Sequence, residues 1–304
     1  MQPSRFLILG GTGFVGSALA HRLVRDGHTL ILPTRSPSRH PDLQVLPTVR
    51  LIAADIHHEP TLDELTSSVD VVVNLVGILN EAGHDGAEFR RVHTELTAKV
   101  LRACAAHGVT RLLHMSSLQA SVNAPSHYLR SKGAAEDLIR AQAPALEVTL
   151  FRPSVIFGRR DSLTNRFAQL LRLMPILPLA RADARFAPVH VADVVEAMVR
   201  ALDRPASIGA TYELGGPDVV TLGDLVRYVG QVTGRRRWVF GIPDWAGRLQ
   251  AWVFERLPGQ LLSIDNFNSL SLPSVPTTDG FAALGIQPTS LAAVVPGYLH
   301  PAAR

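Results

Sequence analysis

Tyr128 and Lys132 stand four residues apart in the segment HYLRSK. On a helix, positions i and i+4 share a face, so a phenol and an ammonium can address one ligand. A nearby cation favours the phenolate, and a phenol tuned in this way can give or take a proton near neutral pH. Ser117 lies upstream of both, and its hydroxyl can hold a carbonyl or alcohol oxygen. Taken alone, the spacing also fits an exposed tyrosine beside a surface lysine. Its setting favours the chemical reading. Lys99 and Lys132 are the only lysines in the chain, and the pair opens a helical pattern downstream of Ser116-Ser117.

A second group of residues would bring a cofactor to these side chains. Phe6 to Leu9 form a short apolar run that ends at Gly10, and Gly13 and Gly16 follow at intervals of three. A helical pattern begins at Ser17. A strand, a glycine turn and a helix in that order form a dinucleotide-binding site. Gly10 permits the tight turn, Gly13 lets the backbone approach a pyrophosphate, and Gly16 lets the helix pack closely. Thr12, Phe14 and Val15 belong to the same turn and are counted with the glycines as cofactor-binding. The helix N-terminus would offer unpaired N–H groups to the phosphates.

The remaining elements must carry these groups to one edge. Strand patterns cover 28–32, 49–53, 69–75, 111–115 and 147–152, and helical patterns cover 87–107 and 126–142. This alternation implies an α/β fold with a parallel sheet covered on both faces, a doubly wound arrangement of the Rossmann type. Ser117 falls just past the strand 111–115, at the carboxyl edge where such sheets bind ligands. Past Pro153 proline becomes frequent and the alternation weakens. Residues 1–152 therefore read as the dinucleotide-binding domain. Residues 153–304 read as the remaining sheet elements with a smaller C-terminal substrate or lid region, interleaved with the first. Further patterns there are helices at 194–202 and 222–233 and a strand at 211–214.

Composition narrows the classes. The 304 residues are 46% hydrophobic, enough for a sizeable core, and no apolar stretch is long enough to span a bilayer. The chain runs straight into its first strand, so no signal peptide is expected. Cys104 is the only cysteine, set in a helical core pattern, so no internal disulfide forms and a reducing compartment is expected. The net charge is +4, carried almost wholly by scattered arginines. No basic stripe interleaved with aromatics suggests nucleic acid. The adjacent His57 and His58 do not make a metal motif, so no metal is expected.

The glycine turn, Asp55-Ile56, Asn74-Leu75-Val76-Gly77, HMSS, YLRSK, FRPSVIFG and PVHVADVVEA together resemble the short-chain dehydrogenase/reductase superfamily. The match is to its extended, NAD-dependent epimerase/dehydratase branch. By that resemblance Asp55 and Ile56 flank the adenine, and Val76 and Gly77 line the path to the nicotinamide. Tyr128 and Lys132 bind the nicotinamide ribose, and Pro153 and Ser154 contact the nicotinamide side. Asp55 also suits a helix N-cap. His190 and Asp193 read as structural, with Asp193 near the start of the next helix.

Cofactor choice rests on the end of the second strand. An acidic residue there would hold the ribose hydroxyls of NAD. The chain instead has Pro33-Thr34-Arg35-Ser36-Pro37-Ser38-Arg39. Arg35 and Arg39 could clamp a 2′-phosphate and Ser36 could hydrogen-bond it, which favours NADP(H) over NAD(H). A solvated basic loop is the alternative.

The nucleotide-sugar epimerases usually carry a V-Y-G segment and a longer insertion between serine and tyrosine, and both are missing. His93 is a further departure, because the superfamily often places an asparagine of a proton relay near this position. SHYLRSKGAAED, FRPSVIFGRRD, FAPVHVADVVEA and the tail 279–299 resemble the branch containing the accessory subunit of respiratory complex I and its bacterial homologues. In that branch the nucleotide is often a structural cofactor, and some relatives support quinone biosynthesis or assembly of membrane complexes. Two functions follow from these readings. One is an NADP(H)-dependent oxidoreductase acting on an apolar carbonyl or alcohol, quinone- or lipid-related, through Ser117, Tyr128 and Lys132. The other is a non-catalytic nucleotide-binding subunit or assembly factor of a respiratory membrane complex. Either implies a cytoplasmic protein, free or peripheral to the inner membrane.

Residues 235–262 carry all three tryptophans, Trp238, Trp245 and Trp252, seven apart. Trp245, Leu249, Trp252 and Val253 fall at helical spacing on one face, flanked by Arg235 to Arg237, Arg248 and Arg256. Three readings fit: a helix packed on the core, a lid over an apolar pocket, or a membrane- or partner-facing surface.

Overall fold

The computed structural model describes residues 3–142, 145–256 and 262–300. Residues 257–261, part of the tryptophan-bearing segment, lie outside them. Six strands come in the order the apolar runs predict: β1 Arg5–Leu9, β2 Thr29–Thr34, β3 Val49–Ala53, β4 Val71–Asn74, β5 Arg111–Met115 and β6 Glu147–Pro153. After the strand β7 Ile176–Ala180, the chain returns to the same sheet with β8 Thr211–Leu214, and β9 Trp238–Ile242 follows. The central sheet runs β8-β6-β5-β4-β1-β2-β3, and every neighbouring pair is parallel. The order reverses between β1 and β4, which opens a crevice at their carboxyl ends, where open α/β sheets bind ligands.

The helices are α1 Phe14–Arg25, α2 Glu59–Thr66, α3 Leu96–His107, α4 His127–Arg140, α5 Leu163–Leu173, α6 Val191–Leu202, α7 Leu222–Val232 and α8 Asp244–Glu255, with shorter turns between them. Strand residues alternate between the two faces of the sheet. Phe6, Ile8, Leu113 and Phe151 join Leu19, Leu23, Val194 and Met198 of α1 and α6 on one face. Leu7, Leu9, Val72 and Leu112 join Leu62, Val100, Cys104 and Ile139 of α2, α3 and α4 on the other. Nearly all of these side chains are fully buried, each contributing roughly 1.5–3 kcal/mol when removed from water.

A third cluster lies outside the sheet. Phe157, Leu171, Leu177, Phe186, Val226, Val229, Val239 and Leu299 pack together, and β7 pairs with β9 above it. All of these residues follow Pro153 in the chain.

Two local readings change. Helix α1 begins at Phe14 rather than Ser17, because Gly13 already serves as its N-cap. The single helix expected over 87–107 is broken into a short helix Ala87–Phe89, a wider π-helical turn Arg90–Glu95, and α3. The wide turn buries Val92 and His93 side by side. Gly108, in the left-handed region with φ 67°, ends α3 where the sequence placed its stop.

Candidate functional site

The glycine turn is built as its spacing requires. Gly10 has φ 78°, and a Cβ there would lie 3.1–3.2 Å from the Leu75 and Val76 backbone across the crevice. At Gly16 a Cβ would lie 2.3 Å from the Gly10 carbonyl oxygen and 2.6 Å from the Gly11 Cα. So Gly16 packs α1 against the turn itself. Gly13 differs, because a Cβ there would meet only the Gly10 oxygen, at 3.2 Å. The Gly13 N–H donates to Gly10 O and the Ser17 N–H to Gly13 O. Between them, the N–H groups of Phe14, Val15 and Gly16 have no backbone acceptor among the described residues. These free donors at a positive helix end, beside an open glycine, fit a pyrophosphate. Phe14 also turns its ring toward Gly158 after β6, where a Cβ would lie 3.1 Å from the ring.

Lys132 lies across the crevice in α4 and is 4% exposed. Its ammonium donates to the carbonyls of Met115 at 3.0 Å and Val76 at 3.3 Å. These carbonyls end β5 and follow β4, so the cation sits on the carboxyl edge of the sheet. Gly77 borders it, with a would-be Cβ 3.4 Å from Nζ. Burial lowers the Lys132 pKa to about 8, and the charge of Glu136 works against that shift. Two of its three protons have carbonyl acceptors, which leaves one for a ligand.

Tyr128 is half-buried, with the Ser117 hydroxyl near enough to its phenol to act on its pKa. Ser117 also donates to the Leu118 carbonyl at 3.1 Å. The three predicted side chains thus come from the end of β5 and the first two turns of α4. One expectation needs correction. The i, i+4 spacing predicted a phenol tuned downward by Lys132, whereas burial pushes the Tyr128 phenol up, opposed by the Ser117 hydroxyl. The ammonium is turned to the two carbonyls, and that direction explains the difference.

Asp265 is a member of the site that the sequence reading missed. Its carboxylate accepts the N–H groups of His127 at 2.6 Å and Tyr128 at 3.1 Å, capping α4 from the helix Ile264–Ser269. Ser126 caps the same end by accepting the Leu129 N–H. Glu136, fully buried one turn beyond Lys132, was also missed. It holds Arg152 at 2.6 Å and Arg140 at 2.6 Å, anchoring α4 to β6. Its i+4 spacing from Lys132 was a legible signal, whereas Asp265 has no nearby sequence cue.

His93 carries no charge in the site. Its Nε2 accepts the Ile78 N–H at 3.1 Å, so Nδ1 bears the proton and donates to Ser131 Oγ at 2.8 Å. Burial, with the Lys132 charge adding to it, lowers its pKa to about 2. Its ring packs edge-on against Tyr128 with centroids 5.5 Å apart. His114 is likewise held neutral by burial, with a pKa of about 3, beside Asn74.

A profile of a known family covers most of this architecture. Residues 6–215, which include the glycine turn, Ser117, Tyr128, Lys132 and β8, match the NAD dependent epimerase/dehydratase family. The chain belongs to that family. It is 34% identical over 229 residues to "NADH dehydrogenase [ubiquinone] 1 alpha subcomplex subunit 9, mitochondrial" of Arabidopsis thaliana. That alignment covers 72% of this chain and spans 55% of the plant protein's length. It is 30% identical over 239 residues to "Ceramide reductase" of Caulobacter vibrioides, covering 78% of this chain and 73% of that one. Among solved structures it resembles the dTDP-glucose 4,6-dehydratase DesIV of Streptomyces venezuelae with NAD bound, at a TM-score of 0.77 and 20% identity. That likeness covers 97% of this chain and 95% of the dehydratase, and it shows the fold.

As a member of the epimerase/dehydratase family, the chain has an NAD-type dinucleotide as its implied cofactor. The other residues singled out in the sequence surround the same edge in different ways. Asp55, exposed after β3, accepts the His57 N–H at 2.9 Å, so it closes a turn and is not the N-cap of α2, which is His58. Ile56 packs against the second core cluster. Arg35 and Arg39 are exposed just past β2, with no ion pair among the described residues, and Ser36 lies between them. The Ser36 N–H donates to Thr34 Oγ1 at 3.4 Å. Pro153 ends β6, whereas the Ser154 hydroxyl donates to Ser274 O at 2.6 Å and accepts the Ala187 N–H at 3.2 Å. Ser154 therefore spends its hydroxyl on the C-terminal segment. Asp193 accepts the Thr289 N–H at 2.6 Å, and His190 packs on Phe157, so both have the structural roles expected of them.

Proposed function

We propose that this family member is an NADP(H)-binding oxidoreductase that moves hydride to or from an apolar carbonyl or alcohol carbon. The observation that carries this reading is Lys132. It is a buried cation at the carboxyl edge of β4 and β5, one helical turn beyond the half-buried Tyr128 on α4. Keeping a cation out of water is costly, and sites that retain one use it. A bound nicotinamide would supply or take up the hydride at C4. Lys132 would hold its ribose with the remaining N–H. Ser117 would hydrogen-bond the substrate oxygen, and Tyr128 would deliver its O–H proton to that oxygen in the reducing direction and take it back in the other. Arg35, Ser36 and Arg39 would receive the 2′-phosphate, and Asp55, Ile56, Val76 and Gly77 would line the adenine and nicotinamide paths. The likeness to a protein named ceramide reductase supports a lipid-like carbonyl as substrate.

The test is NADPH oxidation against a panel of long-chain ketones and quinones, with Tyr128→Phe as the control. Turnover should fall at least about a hundredfold in the variant while NADPH affinity stays within about threefold, since proton transfer alone contributes roughly 10²–10⁴. Wild-type turnover by Tyr128→Phe would end the assignment.

A second reading rests on the likeness to a subunit named for NADH dehydrogenase. In it the dinucleotide fixes the fold and the chain serves a respiratory membrane complex without turnover. Mass spectrometry of nucleotide released from the purified chain separates the two. Stoichiometric NADPH that survives purification, with no turnover on any substrate, favours the subunit. Freely exchanging nucleotide favours the enzyme.

A further inference from the structure

Helix α8 and strand β9 show an apolar surface to solvent. Trp245 is 73% exposed and Trp238 70%, and Leu249, Trp252, Val253, Phe240, Ile176 and Leu173 are also exposed. The helix is docked by its other side. Gly247 fits against Ala180 and Phe267, Ala251 is fully buried, and Gln250 bonds both the Pro178 carbonyl and the Ala180 N–H. The stripe predicted from the spacing of Trp245, Leu249, Trp252 and Val253 is therefore the outer face, and the core-packing reading does not hold for it. Strand β9 repeats the pattern. Val239 points into the third core cluster, while Trp238 and Phe240 lie outward with their rings tilted and centroids 5.7 Å apart.

Cations rim this surface. Arg235, Arg236, Arg237, Arg248 and Arg256 are exposed, and Arg256 lies 4.0 Å over the Trp252 ring. The acidic residues of α8 are engaged, Asp244 with Arg181 and Glu255 with His84. Beside the patch lies a cleft of about 250 Å³, with an apolar floor of Leu171, Val226 and Val239. Arg227, Arg236 and Arg237 line its wall. Arg227 is paired with Asp224 and Arg237 donates to the Leu171 carbonyl, whereas Arg236 has no partner among the described residues. Among the described residues no helix is long and apolar enough to cross a membrane.

We propose that this face is a docking surface for an anionic phospholipid bilayer. Tryptophans with an apolar body and a polar N–H suit the interface between headgroups and acyl chains. Arginines around them suit the negative surface potential of such a leaflet. The arginine-lined cleft takes a headgroup phosphate, to which a guanidinium donates two parallel hydrogen bonds. A protein partner with an acidic, apolar face would also match the charge. The exposed tryptophans of the patch and the arginine-lined cleft at its edge favour lipid. The inference is independent of whether the Tyr128 site turns over.

The experiment is co-sedimentation of the full chain with phosphatidylcholine vesicles, with and without phosphatidylglycerol, at low and high salt. Wild type should bind the phosphatidylglycerol vesicles at least tenfold more tightly than the neutral ones, and high salt should weaken that binding. Trp245→Ser with Trp252→Ser should abolish binding, and Arg236→Gln with Arg237→Gln should weaken it at least fivefold. Both variants should keep the wild-type circular dichroism spectrum, because all four side chains are exposed. Tyr128→Phe should bind vesicles as wild type does, which separates this result from the fate of the catalytic reading. Failure to bind anionic vesicles, or binding indifferent to the tryptophans, would overturn the proposal. A monomer–dimer equilibrium abolished by the tryptophan changes, without vesicle binding, would overturn it in favour of a second copy of the chain.

Discussion

The Asp265 carboxylate accepts the backbone N–H of Tyr128 at 3.1 Å, across 137 residues of sequence. The tyrosine that opens α4 is thus positioned by a residue on a separate C-terminal helix, and the same carboxylate takes the His127 N–H. An anion at the positive end of a helix is favourable in its own right, and hydrogen bonds to a charged group are among the stronger ones.

Asp265→Ala should therefore cost about 2–3 kcal/mol of stability in urea unfolding, because two N–H donors lose a charged acceptor. Asp265→Asn keeps one acceptor oxygen and should recover roughly half of that loss. Under the hydride-transfer reading, turnover should fall more than nucleotide affinity, because the change reaches Tyr128 before the glycine turn. A stability loss under about 0.5 kcal/mol in Asp265→Ala would mean that water satisfies the helix end equally well.

The pH dependence of folding carries a second prediction. His93 has a folded pKa of about 2, far below the ordinary 6.5 that an unfolded chain restores. Below pH 6.5 the unfolded state takes up a proton that the native state refuses. This group's contribution is therefore complete above 6.5 and is lost progressively as the pH falls toward 2. The slope is about 1.4 kcal/mol per pH unit for one proton. His93→Gln should make the measured slope between pH 6 and 4 shallower by about that amount. His114, held near 3, keeps its own share in the variant. An unchanged slope would mean that His93 titrates normally in the native state.

Much of this site could be read from local sequence, because its determinants are local. Gly10, Gly13 and Gly16, the apolar runs of β1 to β6, and the Tyr128–Lys132 pair all sit within one strand, turn or helix. The period of the pattern fixes both the element and the face. The Asp265 cap could not be read in this way, because no short-range pattern ties residue 265 to residue 128. Nor could the π-helical turn at His93, where one extra residue per turn leaves the hydrophobic period almost unaltered. The tryptophan stripe shows a different limit. Helical spacing identified which residues share a face but not whether anything covers it, and the small residues Gly247 and Ala251 turned out to make the inward contact.

The glycines of the turn should behave unlike one another. Gly16→Ala would place a methyl 2.3 Å from the Gly10 oxygen, against backbone that cannot move aside without opening the turn. It should cost about 3 kcal/mol, visible as a lowered melting temperature without any nucleotide present. Gly13 has an ordinary φ of −74° and one moderate contact, so Gly13→Ala should melt close to wild type. Its methyl would instead stand in the space beside the free N–H groups, and calorimetry should show dinucleotide affinity reduced at least tenfold. Wild-type affinity in a folded Gly13→Ala protein would remove the turn from the binding site.

Arg35 and Arg39 decide between the two dinucleotides. They make no ion pair among the described residues, and they flank Ser36 just past the end of β2. A 2′-phosphate held there would gain charge-assisted hydrogen bonds of about 1.5–3 kcal/mol. Arg35→Ala should therefore weaken NADPH binding about 10- to 100-fold. NADH has no 2′-phosphate for the guanidinium to meet, so its affinity should stay within about threefold. Arg35→Lys keeps the charge and loses the planar fork, so it should fall between wild type and alanine for NADPH alone. The decisive quantity is the ratio of the two affinities and not either value. A general loss of fold or of the glycine turn would lower both together, whereas a phosphate clamp lowers only one. An equal loss for NADH and NADPH would make the basic loop a solvated surface.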